Sequence, residues 1–401
     1  MTRTAPIVEG AANGFPAFSA AEYARRYREV DQLLERLSLD ALVVYGRSRD
    51  RSVHWLTNWL TTIEALVVWV PGEDPTLLVQ LGNHVETARR MSVVADVRFA
   101  GTGEAGQMDS RRVLIDTLRH RGLDGAAIGL SGGFTQRYAE TLRHEFGRAR
   151  FRDVSREVAN LQLIKSDEEL DRIRHAATLA DASILALRDQ LRPGLRETHL
   201  PRIIQDAYLD QGGYNQIHFA VSTAMDDPDA AAPAQWHRDR TLRAGDVVVV
   251  EISAGWWGYS GQVLRTFTVG AGPTDRYAQL HEIAMEAFYR AERALVAGAT
   301  IADIHDAAEI IHQRGYTIVD DFLHGANQST PIVRTRQTSR GAPAGFTFQP
   351  GMAVVVQPNV VTPDQRAGVQ FGEMVHITPT GAQRLHSSPH ELFVCGMSAT
   401  G

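Results

Sequence analysis

The sequence predicts an α/β (α+β) protein of two domains, residues 1–160 and 161–401. Three observations carry that expectation. At 401 residues the chain exceeds one ordinary core, since domains run to about 100–200 residues. Through the first 160 residues, short apolar runs alternate with segments of helical periodicity. A capping box at Ser166-Asp167-Glu168-Glu169 then starts a second set of elements, richer in strands.

Each element has its own signal. Residues 1–17 are Gly/Ala/Pro-rich and read as a loose arm. Ser19-Ala20-Ala21-Glu22 opens an amphipathic helix carrying Tyr23, Tyr27, Val30, Leu33, Leu34 and Leu37 on one face. Ala41 to Tyr45 reads as a buried strand, and Ala65 to Val70 with Thr76 to Gln80 as a hairpin about Pro71-Gly72. A helix at His84–Met91, a strand at Val97–Phe99, a helix at Arg111–Arg121, a strand at Ala126–Leu130 and a helix at Thr135–Phe146 follow, closed by Phe151 to Leu163. The second half begins with a long helix through Leu170, Ile173, Ala177, Ile184 and Leu187, stopped by Pro193-Gly194. Another helix starts at Glu197, and a strand-rich stretch follows Gly212-Gly213. Helices at Tyr277–Val296 and Ile301–Arg314 precede final strands at Met352–Gln357 and Glu373–Thr378.

Composition narrows the function. Apolar content of 44% and charged content of 22% are those of a globular protein. A net charge of -6 offers no basic field for phosphate backbones, so nucleic acid is not an expected partner. No run reaches the roughly 20 apolar residues that span a bilayer, and the N-terminus has no secretory pattern, so a cytoplasmic protein is expected. The single Cys395 excludes an intramolecular disulfide and a thiolate-rich metal site. Lys165 is the sole lysine and sits in a charged segment read as exposed, which argues against a Schiff-base cofactor.

The chain is organised around Val247 to Thr268, an apolar strand, a Gly-Trp-Trp-Gly turn and a second strand. Glu251 and Gln262 stand on its two arms, roughly facing one another. A carboxylate directly after four valines must find donors or a cation, or become neutral, and either state is useful chemistry. A structural ion pair with Arg265 is the plain alternative. Trp257 and Tyr259, at the turn, could line a pocket mouth or pack. Arg334, Arg336 and Arg340 could recognise a carboxylate or be solvated.

Residues 160 to 400 resemble the pita-bread family of creatinase, aminopeptidase P and methionine aminopeptidase. The matching pieces are Ile164-Lys165-Ser166, Ala244-Gly245-Asp246, Gly258-Tyr259, Arg265-Thr266-Phe267, His324-Gly325, Pro350-Gly351-Met352 and Gly368-Val369. The N-terminal domain looks like the smaller domain of creatinase and aminopeptidase P. The resemblance implies positions for two metal ions, and these fall on Glu251, Gln262, Gln328, Gln357 and Gly372. No family ligand is kept, and Glu373 could replace the last one only through a strand bulge. One carboxylate among amides does not suit two divalent ions, so no metal and no other cofactor is expected.

Creatinase, a metal-independent member, then sets the leading expectation: acid–base chemistry at a C–N bond of a small polar, nitrogen-containing substrate. His237 would carry the proton, with Glu251 and His324 as further catalytic groups. Gln262, Gln328, Gln357, His218, Tyr259, Arg265, Glu373 and Trp257 would face the substrate. Thr335 stands where the family's peptidases carry a further His, which weighs against peptide hydrolysis. The rivals are a catalytically silent binding protein and a metallopeptidase with relocated ligands. The resemblance also implies a homodimer.

Overall fold

The structure is a computed structural model, and it describes residues 14–102, 109–341 and 345–397; most of the N-terminal arm lies outside the described residues. The chain divides into two compact units, Met1–Gln162 and Leu163–Gly401.

The first unit is a mixed six-stranded sheet. Its strands are β1 (Ala41–Arg47), β2 (Glu64–Trp69), β3 (Thr76–Val79), β4 (Asp96–Phe99), β5 (Ala127–Ser131) and β6 (Arg150–Asp153), in the order β4-β3-β2-β1-β5-β6. β1 runs antiparallel to β2 and parallel to β5. Ser19 caps the first helix, Ala20–Leu37, through a bond from the Glu22 amide. The elements Arg51–Thr57, Arg150–Asp153 and Ser155–Asn160 have no sequence expectation behind them. Each is short, 7, 4 and 6 residues, and too brief to display a period.

In the second unit, strands β7 (Tyr214–Ala224), β8 (Asp246–Trp256) and β9 (Tyr259–Val269) are followed by β10 (Thr317–Ile318), β11 (Leu323–Gly325) and β12 (Ser329–Val333). Then come β13 (Ala353–Val356), β14 (Asn359–Val361), β15 (Gly368–Gln370), β16 (Gly372–Thr378), β17 (Gly381–Arg384) and β18 (Phe393–Cys395). The main sheet runs β12-β11-β13-β16-β9-β8-β7, with β17 on β16 and β18 on β9, while β10, β14 and β15 form a small sheet. Among the described residues no helix is long and apolar enough to cross a membrane.

The β8–β9 hairpin is held by eleven-residue arms and closes on Trp257-Gly258, both with positive φ, +43° and +81°. Alternation along β8 feeds two cores. Val248, Val250 and Ile252 enter a core shared with the long helix Asp167–Gln190. Val247 and Val249 enter another, shared with helices Asp275–Ala294 and Ile301–Gln313. Glu251 and Ser253 continue the second face.

The long helix starts with the expected reciprocal capping box of Ser166 and Glu169. Lys165, read as exposed, is instead buried, its ammonium donating to the Leu163 carbonyl at 3.3 Å. The helix lies so close to β9 that a Cβ on Gly261 would stand 2.3 Å from the backbone of Ala177. Gly261→Ala is therefore expected to lower stability by about 3 kcal/mol, because backbone cannot yield as a side-chain tip does. Gly272→Ala, with no atom within 4 Å, serves as the neutral control. A urea unfolding series on both variants checks this, and equal midpoints would contradict the packing.

Candidate active site

The register of the hairpin decides which polar side chains meet. Gln262 is paired with Ser253 and Glu251 with Leu264, so both polar residues occupy one face, diagonal to each other. Gln262 Nε2 donates to Glu251 Oε1 at 3.0 Å and lies at the same distance from Gln357 Oε1. Gln357 Oε1 also faces His324 Nε2 at 3.2 Å, and its Nε2 donates to the Asp321 carbonyl at 3.2 Å. His324 Nδ1 lies 2.7 Å from the Gly325 carbonyl. Gln370 adds its Nε2, 3.5 Å from Glu251 Oε2. All of these side chains are buried, Glu251 to 2% exposure.

Electrostatics follow from that burial. Removal from water raises the Glu251 pKa to about 7, the nearby Asp320 charge pushes the same way, and the Gln370 amide opposes both. Burial lowers the His324 pKa against its bonds to Gly325 and Gln357, which favours the neutral ring. Burial, then Asp320, raises the pKa of Asp321. The floor of the site is thus a hydrogen-bonded chain from a carboxyl titrating near neutrality to an imidazole.

Other residues expected at the site lie elsewhere. His218 pairs with Ile252 in the ladder and bonds Tyr208 at 2.8 Å, on the face opposite Glu251. His237 is half-buried, and its charge interacts with His218 and Glu197; no described hydrogen bond links it to Glu251. Arg265 and Glu373 also point away from Glu251, since their ladder partners Val250 and Val263 alternate with its face. They form a fully buried ion pair at 2.6 Å, joined by Ser388 and by His390, whose Nε2 lies 2.8 Å from Glu373. Arg265 is therefore the partner of Glu373, not of Glu251. Tyr259 donates to Glu169 at 2.8 Å, binding the hairpin to the long helix, and the Trp257 carbonyl accepts from Arg172 at 3.3 Å. Gln328 ends the turn Ala326–Gln328, and its side chain lies outside the described residues. Arg336 pairs with Asp306 at 2.6 Å, whereas Arg334 and Arg340 line a cavity of about 900 Å³ with Thr338 and Ser339.

Sequence reasoning missed Gln370, Asn359 and the Asp320-Asp321 pair. Asn359 Oδ1 accepts from the amides of Val319 and Asp320, each at 2.9 Å, and its Nδ2 donates to the Asp321 carbonyl at 2.8 Å. Asn359 also faces Gln370 in the small sheet. Two adjacent acids three residues before His324 were a usable signal, but their approach to Glu251 depends on strands too short to read.

With this geometry in view, the comparisons with known proteins are direct. The profile of Metallopeptidase family M24 matches residues 171–379, just over half the chain, and that of the Creatinase/Prolidase N-terminal domain matches 26–164. The chain belongs to metallopeptidase family M24. Its fold is the pita-bread fold with a creatinase-like N-terminal domain. An uncharacterized hydrolase/peptidase, y4tL, of Sinorhizobium fredii is 29% identical over 97% of this chain and 100% of its own length. A Xaa-Pro dipeptidase of Pyrococcus furiosus is 25% identical over 66% of this chain and 75% of its own. The crystal structure of dipeptidase PepE from Mycobacterium ulcerans shares the fold at a TM-score of 0.77 and 23% identity, covering 94% of this chain and 99% of that one.

These findings correct the expected activity. A creatinase-type, metal-independent enzyme working at a C–N bond of a small polar molecule is replaced by an M24 hydrolase whose relatives are named dipeptidases. Exchanging a donor leaves a fold intact, so changes at single positions weigh less than likeness along the whole chain. The donor set still does not fit the family's two-metal arrangement. At Gly372, where the resemblance implies the final ligand, a Cβ would lie 2.1 Å from the Val356 carbonyl oxygen. The register Gly372 to Leu264 and Glu373 to Val263 has no bulge to turn Glu373 inward. Among the described residues no three His, Cys, Asp or Glu side chains converge as metal donors.

The raised Glu251 pKa has a definite sign in stability. Between its unfolded value near 4.5 and its folded value of about 7, the native state holds a proton the unfolded chain has lost. Its contribution therefore falls as pH rises through that window and is level above it. Glu251→Gln removes the effect, so its stability relative to wild type should rise by about 3 kcal/mol from pH 4.5 to pH 8. Chemical denaturation at the two pH values measures the difference, and a constant gap would mean that Glu251 titrates as an ordinary carboxylate.

Proposed function

We propose that the protein is a hydrolase that cleaves a peptide bond in a short peptide. The observation that carries this reading is the M24 match over residues 171–379, which includes Glu251, Gln262, His324, Gln357 and Gln370. The relatives named Xaa-Pro dipeptidase and dipeptidase supply the substrate class.

The chain's own residues suit proton handling. Glu251 changes charge near neutrality, so it can take a proton from, or return one to, a group bound against it. Gln262 fixes the carboxyl through Oε1, and Gln357 fixes Gln262. His324 Nε2 faces Gln357 Oε1 at 3.2 Å and limits rotation of that amide. The buried setting strengthens each of these interactions relative to water.

A panel of dipeptides and tripeptides, Xaa-Pro sequences included, tests the reading on purified protein of measured metal content, with and without added Mn(II), Co(II) or Zn(II). The expected result is amino-acid release from at least one peptide, reduced about 100-fold or more in Glu251→Gln with its unfolding midpoint at neutral pH not lowered. No release from any peptide under any of these conditions overturns it.

A further inference from the structure

The turn Ala326–Gln328 brings a further amide to the floor of the site. It follows His324 and Gly325 on β11 and packs against β9, which carries Gln262, and β13, which leads into Gln357. Within it, Asn327 holds a left-handed backbone, φ +57° and ψ +40°, a conformation that Asn adopts more readily than most residues but still at a cost. Its side chain is tied down as well. Ser260 Oγ donates to Asn327 Oδ1, and Ser260, opposite Gly255 in the hairpin, stands two residues before Gln262 and so on the same face of β9.

The amide donors of the floor are already engaged. Gln262 Nε2 lies between Glu251 and Gln357, Gln357 Nε2 donates to the Asp321 carbonyl, and Gln370 Nε2 faces Glu251. The Ser260 hydroxyl is committed to Asn327. Asn327 is different. With Oδ1 accepting from Ser260, its Nδ2 has no acceptor among the described residues, and the side chain is half-buried rather than sealed. That nitrogen carries two N–H donors. An amide fixed at its oxygen end, with its donor end open on the face that holds a proton-exchanging carboxyl, has the form of a preorganised donor for a carbonyl oxygen.

We propose that Asn327 donates from Nδ2 to the scissile carbonyl oxygen of the substrate, with Ser260 as the residue that positions it. The assignment rests on the peptide-hydrolase reading for the identity of that carbonyl. Water adds to the carbonyl carbon, the C=O electron pair moves onto the oxygen, and a proton of the water passes to Glu251. Collapse of the oxyanion then breaks the C–N bond, and the Glu251 proton leaves on the amine nitrogen. The charge that Asn327 meets exists on the oxygen only after water has added, so the donor lowers the barrier more than it strengthens substrate binding. Asn327 lies outside the five positions that the resemblance assigns to metal ligands.

Glycine takes a left-handed backbone freely, so Asn327→Gly removes the amide and leaves the turn in place. On a peptide that the wild type hydrolyses, this variant should lose about 100-fold in kcat with KM changed by less than about threefold and the unfolding midpoint not lowered. Ser260→Ala should lose about tenfold in kcat, again with little change in KM. Calorimetric titration with the phosphinic analogue of alanyl-alanine, whose tetrahedral P–O⁻ group replaces the scissile amide, reads the donor without turnover. Wild type should bind it about tenfold or more tightly than Asn327→Gly does. Equal binding by the two proteins, no binding by the wild type, or an unchanged kcat in Asn327→Gly overturns the proposal. Peptide hydrolysis that Asn327→Gly leaves intact would remove the donor and keep the hydrolase; tighter phosphinate binding by the wild type without hydrolysis of any peptide would do the reverse.

Discussion

Glu251 is a carboxyl held in a buried strand pair by an amide instead of a cation, and the surrounding structure follows from that choice. A buried carboxylate beside Arg would be permanently charged, and beside apolar groups alone it would be permanently protonated. The Gln262 bond at 3.0 Å and the looser Gln370 contact at 3.5 Å stabilise the charged form only partly against burial. The balance leaves the group near its midpoint at neutral pH. The protein's fully buried Arg265 is kept for Glu373, one strand face away, where Ser388 and His390 complete the network. Exchanging the partners would leave Glu251 ionised and Glu373 stranded, so the two faces of β9 separate a paired charge from a carboxyl that titrates.

That division is a consequence of the two-residue period of a strand. Glu251 and Gln262 share a face because Ser253, two residues from Glu251, opposes Gln262; His218, Arg265 and Glu373 miss it by one residue each in the ladder. The same parity places Gly372, and not Glu373, toward the site. There the Val356 carbonyl and the Gln357 backbone occupy the space a side chain would need. The space beside Gly372 is thus closed by backbone rather than by a side chain that could move aside.

Much of the fold is legible in the sequence because it is written in long, local signals. The N-cap at Ser19, the capping box at Ser166, the valine run before Glu251 and the Trp257-Gly258 turn each depend on neighbouring residues alone. Glu251, Gln262, Gln357 and His324 were grouped from the family's pattern, and hydrogen bonds do connect them. Asn359 and Gln370 were not legible, since their strands span three residues each and their meeting point is set by register between segments apart in the chain, and Asp320 lies in a bend after a two-residue strand. His218 was misplaced for a related reason. Alternation shows that it leaves a strand on one side, but a bulge between Asn215 and Ile217 shifts the register against β8, and only the register says which side holds the site.

The amide-for-ligand exchanges also explain why a donor change need not disturb the family fold. Gln262 and Gln357 occupy nearly the volume of carboxylate side chains, and each supplies both a donor and an acceptor. A pair of carboxylates at those two positions, facing Glu251 with no counter-ion, would carry like charges into a buried space. The amides remove that repulsion and bond to one another at 3.0 Å, so the floor is self-consistent with the protein's own groups. Asn359 holds the turn that carries Asp320 beside this floor, and the Asp320 charge adds to burial in raising the Glu251 pKa.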